Sequence, residues 1–101
     1  MTKLYAIITH DKPGATATRM EKLKEHLAHI EAGLDRLAVA GPMRDEEGNF
    51  TGSLLVVKAD SAAEARALLE NDPYYKADIW SDIEIRALSA AAGDWVGGKA
   101  W

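Results

Sequence analysis

The chain has no cysteine among its 101 residues. That excludes disulfides, a thiolate nucleophile and any cysteine-based zinc site. Positive charge is also in deficit, with 12 lysines and arginines against 16 aspartates and glutamates, a formal net charge of −4. Such a balance argues against nucleic acid or an anionic membrane as the main partner. Long hydrophobic runs are missing. The first apolar stretch, Leu4 to Ile8, is too short for a signal-peptide core and far too short to span a bilayer, so a cytoplasmic protein is expected. Proline occurs only 3 times, so each proline is read as punctuation of regular structure. No internal repeat, linker or phosphate-binding or dinucleotide glycine motif is present.

What is there is ordinary for a single globular domain spanning 1–101: 48% hydrophobic and 28% charged residues. A chain this short buries a modest share of its surface, which makes association with a second copy an expectation.

Hydrophobic periodicity orders the elements. Leu4–Thr9 reads as a strand, ended by Pro13 and Gly14. Thr18 and Glu21 have the spacing of a capping box, followed by an apolar stripe at Met20, Leu23, Leu27 and Ile30, with Gly33 placed for a left-handed cap. Leu34–Gly41 and Phe50–Ala59 read as two strands joined by a polar hairpin loop turning at Gly48 and Asn49. Ser61 and Glu64 form a second capping box, opening a helix that faces Ala65, Leu68 and Leu69 inward. Asp72 is an N-cap for a short turn starting at Pro73. Ile79–Leu88 alternates Ile79, Ser81, Ile83 and Ile85 against Trp80, Asp82, Glu84 and Arg86, a strand with one buried face. The order β-α-β-β-α-β predicts an α+β, ferredoxin-like fold, a four-stranded antiparallel sheet with two helices on one face. The other sheet face stays apolar, so two copies pairing face to face into a dimeric barrel are expected. Residues 89–101, rich in Gly and Ala with Trp95 and Trp101, read as a tail that either frays, covers a cavity or docks on a second copy through its indoles.

Two of the three histidines, His26 and His29, lie three residues apart in the first helix. At about 100° per residue, His26 borders the apolar stripe, with Arg19 on the same border about 20° away, whereas His29 falls roughly 160° from Leu27, toward solvent. No third metal ligand is placed beside them, so no metal site is expected, and no cofactor is called for. His26 has two readings, a packed core histidine bonded to a backbone carbonyl or a half-buried acid/base. Gly52 and Ser53 read as strand residues, the glycine admitting close approach of another backbone or a ligand.

The motifs "HDKPGA", "HLAHIEAG", "AGPM", "GNFTGSLLVV" and "NDPYYKADIWSDIEIRAL", in this order and spacing, resemble the YciI-like (YCII-related) family of small dimeric α+β barrel proteins. The resemblance implies a ferredoxin-like protomer and a His–Asp pair, which by motif falls on His26 and Asp72. It also implies a hydrogen-bonding role for Ser53 and matches His10 and Asp11 to the family's first loop, which makes Ser53, Arg19 and His10 the expected substrate-binding residues. Many relatives carry Arg-Pro-Ala-His where this chain has Leu23-Lys24-Glu25-His26, so a basic group at the site is expected from Arg19 or Lys24 instead. The resemblance further implies a lyase or isomerase, acting by elimination or proton transfer on a small hydroxyaromatic or conjugated molecule. The competing expectation is a non-enzymatic metabolite-binding barrel with the same cavity.

Overall fold

The computed structural model describes residues 3–100. Strand β1 (Lys3–Asp11) leads to helices α1 (Thr16–Glu21) and α2 (Leu23–Ala32), a 3-10 turn over Leu34–Arg36, and strands β2 (Leu37–Arg44) and β3 (Phe50–Ala59). Helix α3 (Ala62–Glu70), a four-residue helix α4 (Pro73–Lys76) and strand β4 (Trp80–Leu88) follow. The four strands form one antiparallel sheet in the order β2-β3-β1-β4. This is the expected ferredoxin-like α+β arrangement. The core lies between the sheet and the helices. Tyr5 and Ile7 of β1 meet Leu55 and Val57 of β3 there, beneath Ala65 and Leu69 of α3.

The first helix departs from expectation in three ways. It begins before Thr18: the chain leaves the Pro13–Gly14 turn, where Gly14 has φ +77°, with Ala15 already the N-cap and no side-chain cap bond. Thr18 therefore sits inside the helix and forms no capping box. The helix also breaks at Lys22 (φ −95°, ψ 4°), so α1 and α2 are separate segments. Gly33 has φ −116° and runs directly into the 3-10 turn, so it needs no left-handed cap. The apolar stripe is only partly covered, Met20 being 55% and Leu27 53% exposed.

Strand β2 starts and ends three residues later than expected, because Leu34–Arg36 forms the 3-10 turn and Pro42, Met43 and Arg44 pair with β3. Proline is tolerated there because β2 is an edge strand, where a missing N–H leaves no ladder bond unmade. The β2–β3 loop turns at Gly48 (φ +87°). The Asp45 carboxylate accepts from the N–H groups of Asn49 and Glu47, and the Asn49 bond, ahead of the others, holds its pKa below the ordinary value. The second capping box forms as expected, with Ser61 Oγ accepting from the Glu64 N–H at 3.1 Å.

On β4 the simple alternation fails at its start. The β1–β4 register shifts between His10 and Asp11: His10 lies opposite Asp82, but Asp11 lies opposite Trp80. The bulge leaves Ser81 exposed and turns Trp80 into the core with 7% of its surface accessible. Trp80 was expected on the polar face.

The second face of the sheet carries Leu4, Ala6 and Ile8 of β1 beside Leu54 and Val56 of β3, the register partners that alternate with the core residues. Beyond β4, Ala92–Gly93 (β5) and Gly98–Lys99 (β6) pair as a small ribbon. Trp95 at its tip is 83% exposed, so it does not dock on its own chain. Trp101 lies outside the described residues.

Candidate active site

The site begins with a local turn. Asp72, extended at φ −70° and ψ 133°, caps α4 by accepting from the Tyr74 N–H at 2.8 Å, with Pro73 preset for the first helical position. Only 1% of Asp72 is accessible. Its two oxygens lie 2.9 and 3.0 Å from Nδ1 of His26, in the second turn of α2. A carboxylate only accepts, so Nδ1 carries the proton and Nε2 is the free ring nitrogen. The structure thus joins two of the sequence-predicted residues, 46 positions apart. Tyr74 holds the flat side of the same imidazole, its ring stacked at 3.9 Å and 10°.

A second arm comes from Arg19, the last basic residue of α1. Its side chain is 5% exposed, as is 6% of Asp11, and Nε and Nη2 grip the Asp11 carboxylate at 2.6 and 3.0 Å. Nη2 also donates to the Gly52 carbonyl and to Ser53 Oγ, both at 2.9 Å. Because Ser53 Oγ receives that hydrogen, its own hydroxyl proton remains free to donate. Ser53 is held in place by its N–H, which donates to Thr9 Oγ1 at 2.9 Å. Gly52 is required by close strand packing: a Cβ there would collide with the Thr9 carbonyl oxygen. The close approach allowed by this glycine is therefore by backbone.

Both arms line one cavity of about 310 Å³. Its remaining wall is apolar and aromatic, including Leu23, Leu27, Phe50, Leu55 and Trp80. The half-covered stripe of α1 and α2 is explained by this cavity, which Met20 and Leu27 border. Burial pushes the Tyr74 phenol pKa up, which keeps it a neutral hydrogen-bond donor.

Other candidates fall elsewhere. His10 points to the second sheet face, its Nε2 3.9 Å from Glu84, on the opposite side from the cavity. With Asp82 and Glu84 it offers three ligand atoms within 4.8 Å of one another. Asp11, the next residue along β1, faces the other side by strand alternation and reaches Arg19 there. His29 is half-buried rather than solvent-facing and lines a separate groove of about 400 Å³ with Arg36 and Leu68. Among the described residues it has no side-chain hydrogen bond in common with His26, although Asp72 borders both cavities. Lys24 is exposed and not in the cavity wall, so the basic group there is Arg19. Tyr74, Trp80 and Phe50 were not picked out from sequence, although Tyr74 stands two residues after the predicted Asp72.

Residues 3–89 match the model of the YCII-related domain. The chain belongs to the YCII-related family. Among its relatives, Protein YciI of Escherichia coli O6:H1 is 31% identical over 91 residues, covering 82% of this chain and 93% of that one. Protein YciI of Shigella flexneri is equally similar, at 31% over 91 residues. Among solved structures, 5-chloro-2-hydroxyhydroquinone dehydrochlorinase of Burkholderia phenoliruptrix, in complex with 2,5-dihydroxybenzoquinone, superposes with a TM-score of 0.78 at 28% identity, over 90% of this chain and 96% of that one. A Nitrosomonas europaea protein of unknown function shares the fold, with a TM-score of 0.55 and 21% identity over 92% of this chain and 95% of that one. The YCII-related match ends at residue 89, leaving the β5–β6 ribbon outside it.

Proposed function

We propose that this YCII-related protein is an acid/base enzyme of lyase or isomerase type acting on a small, oxygenated six-membered ring. The observation that carries this reading is the His26–Asp72 pair, with Asp72 buried, in the wall of an otherwise apolar cavity of about 310 Å³. Asp72 fixes the tautomer and stabilises the imidazolium as it forms. Nε2 takes a hydroxyl proton from the ring. Ser53 donates to an oxygen that gains charge, and Arg19, its own charge balanced by Asp11, holds Ser53 in that orientation. The aromatic wall and the leucines exclude water and fit a flat ring. In an elimination, His26 first moves a hydroxyl proton to the halogen-bearing ring carbon, giving the keto tautomer. Loss of a second hydroxyl proton to Nε2 then pushes electrons through the ring and expels the halide with the electron pair of its carbon bond. The ring becomes a quinone, the halide being replaced by hydrogen, with net loss of HX and no oxidant. The likeness to a dehydrochlorinase supports this chemistry.

The test is direct. Chloride release from 5-chloro-2-hydroxyhydroquinone, followed with an ion-selective electrode, is expected to be faster with the protein than without it and to saturate with substrate. Absence of release from this substrate, together with no binding of 2,5-dihydroxybenzoquinone, overturns the reading. Binding without release favours the metabolite-binding alternative, in which His26–Asp72 is a structural bond.

The working unit in this reading is a homodimer. Leu54, 36% exposed, and Ile8 beside it lie on the uncovered sheet face, and a matching face on a second copy removes them from water at roughly 25 cal/mol per Å². Sedimentation velocity is expected to give twice the chain mass at micromolar concentration; a monomer there refutes the dimer.

A further inference from the structure

The helix break at Lys22 separates the two arms of the site. Arg19 lies on α1, before the break, and His26 on α2, after it. No direct hydrogen bond joins the two side chains among the described residues, so the break leaves their spacing to something else.

One residue touches both. The Tyr74 ring stacks on the His26 imidazole at 3.9 Å. Its hydroxyl donates to the Arg19 backbone carbonyl at 3.1 Å. That carbonyl belongs to the last turn of α1, where acceptors run short of intrahelical partners. The Arg19 guanidinium carbon also lies 5.1 Å from the Tyr74 ring centroid, within cation–π range. Tyr74 is itself immobilised: 1% exposed, N–H bonded to Asp72, and edge-on to Trp80 at 6.3 Å. A rigid ring therefore spans the break, anchored to the carboxylate that orients His26.

We propose that Tyr74 is a positioning residue that sets the distance between the His26 imidazole and the Arg19–Ser53 arm across the break at Lys22. This rests on the acid/base reading of the cavity and adds a cause for its geometry. The ring and the hydroxyl have separable duties: the ring orients His26, and the hydroxyl ties α1 to it.

The experiment compares Tyr74→Phe and Tyr74→Leu in the full chain, with 2,5-dihydroxybenzoquinone as the probe and readings taken well below the melting temperature. For Tyr74→Phe, probe affinity is expected to fall about 5- to 10-fold, the scale of one hydrogen bond. Amide exchange is expected to quicken in residues 16–21 and not in α3. The His26 ring-proton resonances stay shifted upfield by the retained aromatic ring. Tyr74→Leu is expected to lose that upfield shift as well. A merely structural role would lower the melting temperature without this split between α1 exchange and His26 shifts. Wild-type affinity and α1 exchange in Tyr74→Phe overturn the proposal, as do unmoved His26 resonances in Tyr74→Leu. If the probe does not bind the wild type, the acid/base reading fails, while exchange and ring shifts still decide the role of Tyr74.

Discussion

Asp11→Ala is expected to destabilise the fold by about 3–5 kcal/mol, the cost of leaving one member of a buried ion pair unpaired. Arg19 keeps its charge under all conditions, so it cannot escape the penalty by losing a proton. Its side chain is 5% exposed and that of Asp11 6%, leaving little water to compensate. Against a total stability of about 5–15 kcal/mol for a domain, such a loss shows as a fall in melting temperature of some 15–30 °C. The remaining acceptors, Gly52 O and Ser53 Oγ, are neutral and do not replace a carboxylate. The paired variant Asp11→Leu with Arg19→Met is expected to recover most of the lost stability, since two apolar groups leave no charge buried. It is also expected to weaken ligand binding, because Ser53 then loses the donor that orients it. Calorimetric or circular-dichroism melts of the three proteins check this. A loss below about 1 kcal/mol in Asp11→Ala would mean that the pair is open to solvent.

How far the sequence foretold this arrangement depended on whether the determining contact was local. Ser61 caps α3, and Asp72 caps α4, because a side-chain oxygen two or three residues before the free N–H groups suffices. Both were legible for that reason. The β-α-β-β-α-β order followed from runs of apolar residues between breakers. What escaped was set by register between distant segments. The bulge at Ser81 decides that Trp80 becomes core, whereas His10 and Asp11 part by plain alternation, Asp11 following Tyr5, Ile7 and Thr9 inward and His10 following Ile8 outward. No periodicity within either strand encodes a one-residue slip against its neighbour. The split at Lys22 was likewise hidden, since the stripe from Met20 to Ile30 reads as one continuous helix. The family motif brought Asp72 to His26. Nothing local marked Tyr74, whose importance comes from touching segments 48 and 55 residues away.

The largest catalytic effect is expected at His26. Replacing it with alanine should reduce kcat/KM for chloride release about 10²- to 10⁴-fold, the usual contribution of a positioned acid/base group. Most of that loss should appear in kcat. The affinity for 2,5-dihydroxybenzoquinone should hold within about threefold, since Ser53 and the apolar wall still make the cavity. Asp72 requires a gentler change, because it both orients His26 and caps α4. Asparagine is as good an N-cap as aspartate, so Asp72→Asn keeps the helix start while removing the charge that stabilises the imidazolium. It is expected to melt within about 1–2 kcal/mol of wild type and still to lose activity by at least tenfold. A double variant, His26→Ala with Asp72→Asn, should be no slower than His26→Ala alone if Asp72 acts through the imidazole. That non-additivity separates a catalytic pair from two independent structural residues. Unchanged turnover in His26→Ala would remove the histidine from the chemistry and leave the cavity as a binding site.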